Sequence, residues 1–124
     1  MPRKPSTRDR GAAGEDLAAA HLVREGWSVL ERNFRSRAGE IDIIAEKDGE
    51  VAFVEVKAWR SIPAADLEFS VDGRKQRRIA EAARYYVSRR PGLAERTLRF
   101  DVIFLGGGDP AIRHIERAFN GGID

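Results

Sequence analysis

Gly39–Lys57 reads GEIDIIAEKDGEVAFVEVK. Two apolar-rich runs, Glu40–Glu46 and Val51–Lys57, flank Asp48-Gly49. An Asp-Gly pair between such runs is the strongest short-range hairpin signal, because both central residues of a type I′ turn take φ > 0. With Asp48 and Gly49 at the turn the register follows: Lys47 faces Glu50, Ile44 faces Phe53, Asp42 faces Glu55 and Glu40 faces Lys57. Side chains alternate along a strand, so Glu40, Asp42, Glu55 and Lys57 share one face.

Directly opposed residues have Cβ atoms about 5 Å apart, and like charges placed there destabilise a sheet. Asp42 opposite Glu55 therefore needs a reason, and a divalent cation between them with Lys57 beside it is the obvious one. Magnesium wants hard oxygen ligands and keeps several waters. Asp42 and Glu55 supply two ligands and the Val56 carbonyl a third. A cation so held activates water and stabilises charge on a phosphoryl oxygen, while a lysine orients the water, acts as base or neutralises the transition state. That is phosphodiester hydrolysis. An amphipathic hairpin with a wet outer face accounts for the same residues, and a Glu40–Lys57 ion pair favours that plainer reading. The two differ in surroundings: a flat, wet face for the plain hairpin, a cleft between two helices with Glu15 approaching from above for the site.

Composition limits the alternatives. At 124 residues, with 42% hydrophobic and 34% charged residues, the chain makes one soluble globular domain. It has no cysteine, which excludes a disulfide framework, thiol catalysis and thiolate metal sites. His21 and His114 are far apart in sequence, which argues against a His-rich zinc centre. No apolar run approaches the ~20 residues that span a bilayer, and no signal-peptide pattern opens the chain. The expectation is therefore a cytoplasmic protein without a membrane partner. Net charge is +2. Arg3, Lys4, Arg8 and Arg10 against Asp9 give the first ten residues +3, and the remaining 18 basic against 19 acidic residues give −1. Such segregation suits a protein that holds a polyanion with basic patches and a cation with an acidic pocket, and equally a solvated surface with a solubilising tail.

Outward from the hairpin, residues 1–10 read as a disordered basic arm. Gly11–Glu25 is an Ala- and Leu-rich helix stopped by Gly26. Glu15 shares a stripe with Ala18, Ala19 and Leu22, either partly solvated near the helix end or aimed inward at something positive. Trp27–Asn33 reads as a strand and Phe34–Gly39 as a basic turn. Ala58–Gly73 is a long connection of the kind that is functional or mobile. It begins with Trp59 after a single residue, a candidate for roofing the core or stacking on a base. Arg74–Arg90 is a second helix with Ile79, Ala82, Ala83 and Tyr86 as its buried stripe. Arg74, Lys75, Arg77 and Arg78 make its first turn basic, the wrong sign for the macrodipole, and phosphate binding explains the tolerance. Asp72 and Glu81 on a solvated face offer the other explanation. Leu98–Leu105 is a strand, and Ala111–Ile115 a last edge strand. The domain spans 11–119 and the tail 120–124 frays.

Glu15, GEID at Gly39–Asp42, FVEVK at Phe53–Lys57, RKQRR at Arg74–Arg78 and RFDV at Arg99–Val102 together resemble the bacterial YraN family of uncharacterised proteins, over roughly Gly11 to Phe119. That family in turn looks like the PD-(D/E)xK, restriction-endonuclease-like nucleases, nearest the archaeal Holliday-junction resolvases. The resemblance implies an α/β, restriction-endonuclease-like αβββαβ core, a central mixed sheet flanked by helices. It implies Asp42, Glu55 and Lys57 as the nuclease signature, Glu15 as the extra helix-one acid, Lys75 on the basic helix and a homodimer. Ala58-Trp59 departs from the Thr and basic residue expected after the lysine, and bears on substrate contacts more than on metal binding.

The leading expectation is a Mg²⁺- or Mn²⁺-dependent endonuclease-like protein acting on DNA, branched DNA included. Asp42, Glu55, Val56 and Glu15 would hold metal, Lys57 would serve the water, and Arg37, Lys75 and Arg78 would grip phosphates. A non-catalytic nucleic-acid-binding module on the same fold is the alternative, and an interaction domain without nucleic acid the third.

Overall fold

The computed structural model describes residues 7–58, 71–106 and 111–120. Helix α1 spans Thr7–Arg24, strand β1 Ser28–Arg35, β2 Glu40–Lys47, β3 Glu50–Ala58, helix α2 Gly73–Ser88, β4 Thr97–Leu105 and β5 Ile112–Phe119, with a 3-10 turn at Pro91–Leu93. One five-stranded mixed sheet has the order β1-β2-β3-β4-β5. All pairings are antiparallel except β3 with β4. Those two run parallel because α2 crosses between them, the connection parallel neighbours require. This is the expected α/β, restriction-endonuclease-like order, with β5 added at the far edge.

The hairpin forms as its residues dictate. Asp48 and Gly49 adopt φ 49° and 80°, and the ladder pairs Lys47 with Glu50 and Ile44 with Phe53. Alternation along β3 then divides the core. Val51 and Phe53 pack with Phe100, Phe104 and the α2 stripe Ile79, Ala82, Ala83 and Tyr86. Ala52 and Val54 pack with Ile43, Ile103 and Ala18 and Leu22 of α1. The helices thus cover the two faces that the period-two pattern makes apolar.

Several boundaries differ from expectation. Helix α1 begins at Thr7 rather than Gly11, since Arg is a good helix former even where no apolar stripe marks it. Strand β1 runs to Arg35 and is irregular: its register shifts between Val29 and Glu31, and Asn33 has φ 54°. Helix α2 starts from Asp72, whose carboxylate accepts a hydrogen bond from the Lys75 backbone N–H at 2.9 Å. It ends at Ser88 instead of Arg90. Strand β5 continues to Phe119 because it has a partner, β4, along that length. Trp59 lies outside the described residues.

Candidate functional site

The β2–β3 ladder runs from the turn to Ile43–Val54. In an unbroken hairpin the next hydrogen-bonded pair would be Ile41 with Val56. Here the Val56 N–H donates instead to Asp42 Oδ2 at 2.8 Å. The Asp42 side chain has entered the ladder, and a backbone donor fixes its carboxylate. The contact uses the N–H of Val56 and leaves its carbonyl, the group expected to face a cation, out of this bond.

Just past the last ladder pair, the Asp42 and Glu55 side chains meet by a hydrogen bond and by charge. Glu55 is 8% exposed. Burial, then the nearby Glu55 charge, raise the Asp42 pKa to about 7 against the pull of the Val56 N–H; Glu15 and a hydrogen bond with Glu55 push the same way. Two acids so placed share a proton below neutral pH and repel above it. Glu55 has a counter-ion: Lys75 Nζ lies 2.5 Å from its Oε1. Lys75 is on the first turn of α2, so the helix begins by delivering a cation to the acid pair.

Around them is a cleft of about 510 Å³ lined by Gly39, Glu40, Asp42, Glu55, Asp72, Arg74, Lys75, Arg78 and Ile79. Its floor is acidic and its α2 rim basic. Gly39 allows the helix this close, because a Cβ there would lie 3.1 Å from the Arg78 carbonyl oxygen and 3.2 Å from its Cβ. The cleft lies between the hairpin and α2, not between the two helices. Among the described residues no α1 side chain lines it.

Asp42, Glu55, Lys75 and Arg78 are therefore brought together. Glu15 does not line the cleft; it lies 3.8 Å from Arg32, and its charge adds to the rise in the Asp42 pKa. No three His, Asp or Glu side chains among the described residues are grouped to hold one ion. Arg37 lines a different cavity, beside Tyr85. Lys57 lies close enough to Asp72 for its charge to help lower that acid's pKa, after the Lys75 backbone N–H. Glu40 pairs with Arg35 at 3.5 Å.

A second polar cluster was not legible in advance. His21 and His114, far apart in sequence, have ring nitrogens 3.3 Å apart. His114 Nε2 is 2.7 Å from Asp101 Oδ2, and Asp101 is fully buried. Burial alone would raise the Asp101 pKa, but hydrogen bonds from His114, Arg99 and the Arg117 backbone hold it below the ordinary range. The RFDV motif at Arg99–Val102 was the signal available: a charged pair inside an apolar strand is costly unless both members are partnered.

The model of the uncharacterised protein family UPF0102 matches residues 14–105. A UPF0102 protein of Trichlorobacter lovleyi is 46% identical over 114 residues, covering 89% of each chain. One from Rhodopseudomonas palustris is 43% identical over 110 residues, covering 89% of this chain and 82% of its own. The chain belongs to the UPF0102 family. The matched span takes in the hairpin, α2 and β4, so every cleft-lining residue falls within the UPF0102 region. No helix is long and apolar enough to cross a membrane among the described residues.

Proposed function

We propose that this UPF0102 protein is a nuclease-like DNA-binding protein that hydrolyses phosphodiesters with Mg²⁺ or Mn²⁺, branched DNA being among its substrates. The observation that carries the reading is the facing pair Asp42 and Glu55 in one cleft with Lys75 and Arg78. An acidic floor under a basic rim suits a cation and the phosphate that approaches it. Asp42 and Glu55 are hard oxygen donors of the kind magnesium takes; they would hold the ion, with Glu15 acting on it through charge. A bound divalent cation would supply Lewis acidity and an activated water. The chain's own residues do the rest. The Val56 N–H fixes the orientation of the Asp42 carboxylate. Lys57 would serve the water. Arg78 would take a flanking phosphate, and Lys75 would move from Glu55 to another. Arg37 would bind the backbone further along, and a homodimer would present two such clefts.

One observation favours the alternative, a non-catalytic module: Glu55 already has an ammonium partner in Lys75. Cleavage of linear, flapped and four-way DNA with Mg²⁺ or Mn²⁺ separates the two. Turnover by the wild type, abolished in Asp42→Asn and Lys57→Ala, supports the nuclease. Salt-sensitive binding with no turnover in any metal supports the module. Equal cleavage by wild type and both variants refutes the assignment of these residues.

A further inference from the structure

Next to the acidic cleft is a second cavity of about 440 Å³, lined by Arg35, Ser36, Arg37, Ala38 and Tyr85. We infer that this cavity is a stacking subsite for an unpaired nucleotide of the DNA, with Tyr85 as its platform and Arg35 and Arg37 as its phosphate contacts. The inference rests on the DNA-processing reading above and specifies the substrate: a phosphodiester flanked by unpaired bases.

The chemistry of the walls points to a nucleotide. Tyr85 is 44% exposed, unusual for an aromatic ring in a chain that buries Tyr86 beside it at 2%. Phe34 lies alongside the Tyr85 ring, centroids 6.3 Å apart and planes inclined by 30°. The Arg89 guanidinium sits 5.0 Å from the ring centroid. Arg89 is exposed, so an incoming base can displace it from the ring at little cost and leave its charge beside the phosphate. Planar apolar surface edged by guanidinium groups is how single strands are held without regard to sequence. A duplex cannot use it, because paired bases present no free face.

The position relative to the cleft is equally specific. The turn from Ser36 to Gly39 joins the two cavities, since Ala38 borders one and Gly39 the other. Ser36 makes it rigid: its Oγ accepts from the Ala38 N–H at 3.2 Å, and its backbone N–H donates to the Gly39 carbonyl at 2.9 Å. On α2, Arg78 borders the cleft and Tyr85 the second cavity. Seven residues, two turns, separate them on one helix face, about 10 Å along the axis. That equals about three nucleotides of a stacked strand. A DNA whose phosphate lies at Asp42 and Glu55 therefore places a base a few nucleotides away at Tyr85.

The test is equilibrium binding in EDTA, where no cleavage intervenes, to a flapped DNA carrying 2-aminopurine in its unpaired arm and to the same sequence fully paired. Wild type should bind the flapped DNA and quench the 2-aminopurine. Tyr85→Ala should weaken that binding about tenfold, which is about 1.4 kcal/mol, abolish the quench and leave duplex affinity unchanged. Tyr85→Phe should behave as wild type. Arg37→Ala should weaken flapped binding and reduce its salt dependence while keeping the quench. Unchanged flapped binding in Tyr85→Ala, or equal losses on both DNAs, overturns the subsite while leaving the nuclease reading intact. If wild type binds neither DNA in EDTA, the subsite falls, while the cleavage assay with Mg²⁺ or Mn²⁺ decides the nuclease reading separately.

Discussion

Asp42→Asn should make the protein more stable, not less, at the pH where it works. Burial and the facing Glu55 lift the Asp42 pKa from 3.8 to about 7. A carboxyl whose folded pKa is raised contributes stability that is present below its unfolded pKa and lost as pH rises through the folded one. The lift, at about 1.4 kcal/mol per pH unit, gives about 4 kcal/mol lost between pH 4 and pH 7. Solvent entering the open side of the cleft reduces this to about 2 kcal/mol. Asparagine has the same shape and can still accept from the Val56 N–H, but it carries no charge. In urea unfolding from pH 4 to pH 8.5 without divalent metal, the variant should match wild type near pH 4. It should exceed it by about 2 kcal/mol above pH 7, on the order of 8 °C in Tm for a domain of this size. Its m-value should not change. Millimolar Mg²⁺ should then close the gap by stabilising wild type alone, since a ligand that binds only the folded state adds RT ln(1 + [L]/Kd). A variant equal to or weaker than wild type throughout the pH range would refute the claim that the two acids strain each other. A metal response of equal size in both proteins would refute the claim that they hold the cation.

Lys75→Met removes the counter-ion of Glu55 and should lower stability by about 1 kcal/mol in EDTA, recovered on adding Mg²⁺, as thermal unfolding with and without the ion would show. Gly39→Ala forces a Cβ against the Arg78 backbone and should cost about 1–3 kcal/mol in urea unfolding, with reduced DNA affinity as α2 shifts from the cleft. Asp101→Asn leaves Arg99 and His114 facing a neutral, fully buried amide and should cost about 3–5 kcal/mol. The wild-type contribution of Asp101 should be lost in acid, as pH falls below the ordinary carboxylate range, because its folded pKa is depressed.

The parts of this architecture that were legible are local. An Asp-Gly turn sets its own dihedrals and therefore its own register, so Lys47 opposite Glu50 and Ile44 opposite Phe53 follow from counting. The α2 stripe Ile79, Ala82, Ala83 and Tyr86 is likewise a matter of helical spacing, and all four are buried. The departure of β2 and β3 from regular pairing past Ile43–Val54 was not legible, because a carboxylate replacing a backbone acceptor leaves no periodic trace. Nor was the placement of Glu15: spacing puts it on the apolar stripe of α1, but only the packing of that helix against the sheet decides that it meets Arg32 while its charge still reaches Asp42. His21 and His114 meet because α1 packs on the sheet face that ends at edge strand β5, a contact across 93 positions of sequence.

The contacts of Asp101 bear on what counts as the smallest self-sufficient unit. The family model's match ends at Leu105, yet the partners His114 and Arg117 of that carboxylate lie beyond it, on β5. Cutting the chain after Leu105 would preserve every residue around the acidic cleft and still strand a negative charge in the interior with Arg99 alone to answer it. The closing strand is thus a plug for the sheet's own electrostatics, and an excision that took its limit from the family model's end would discard it.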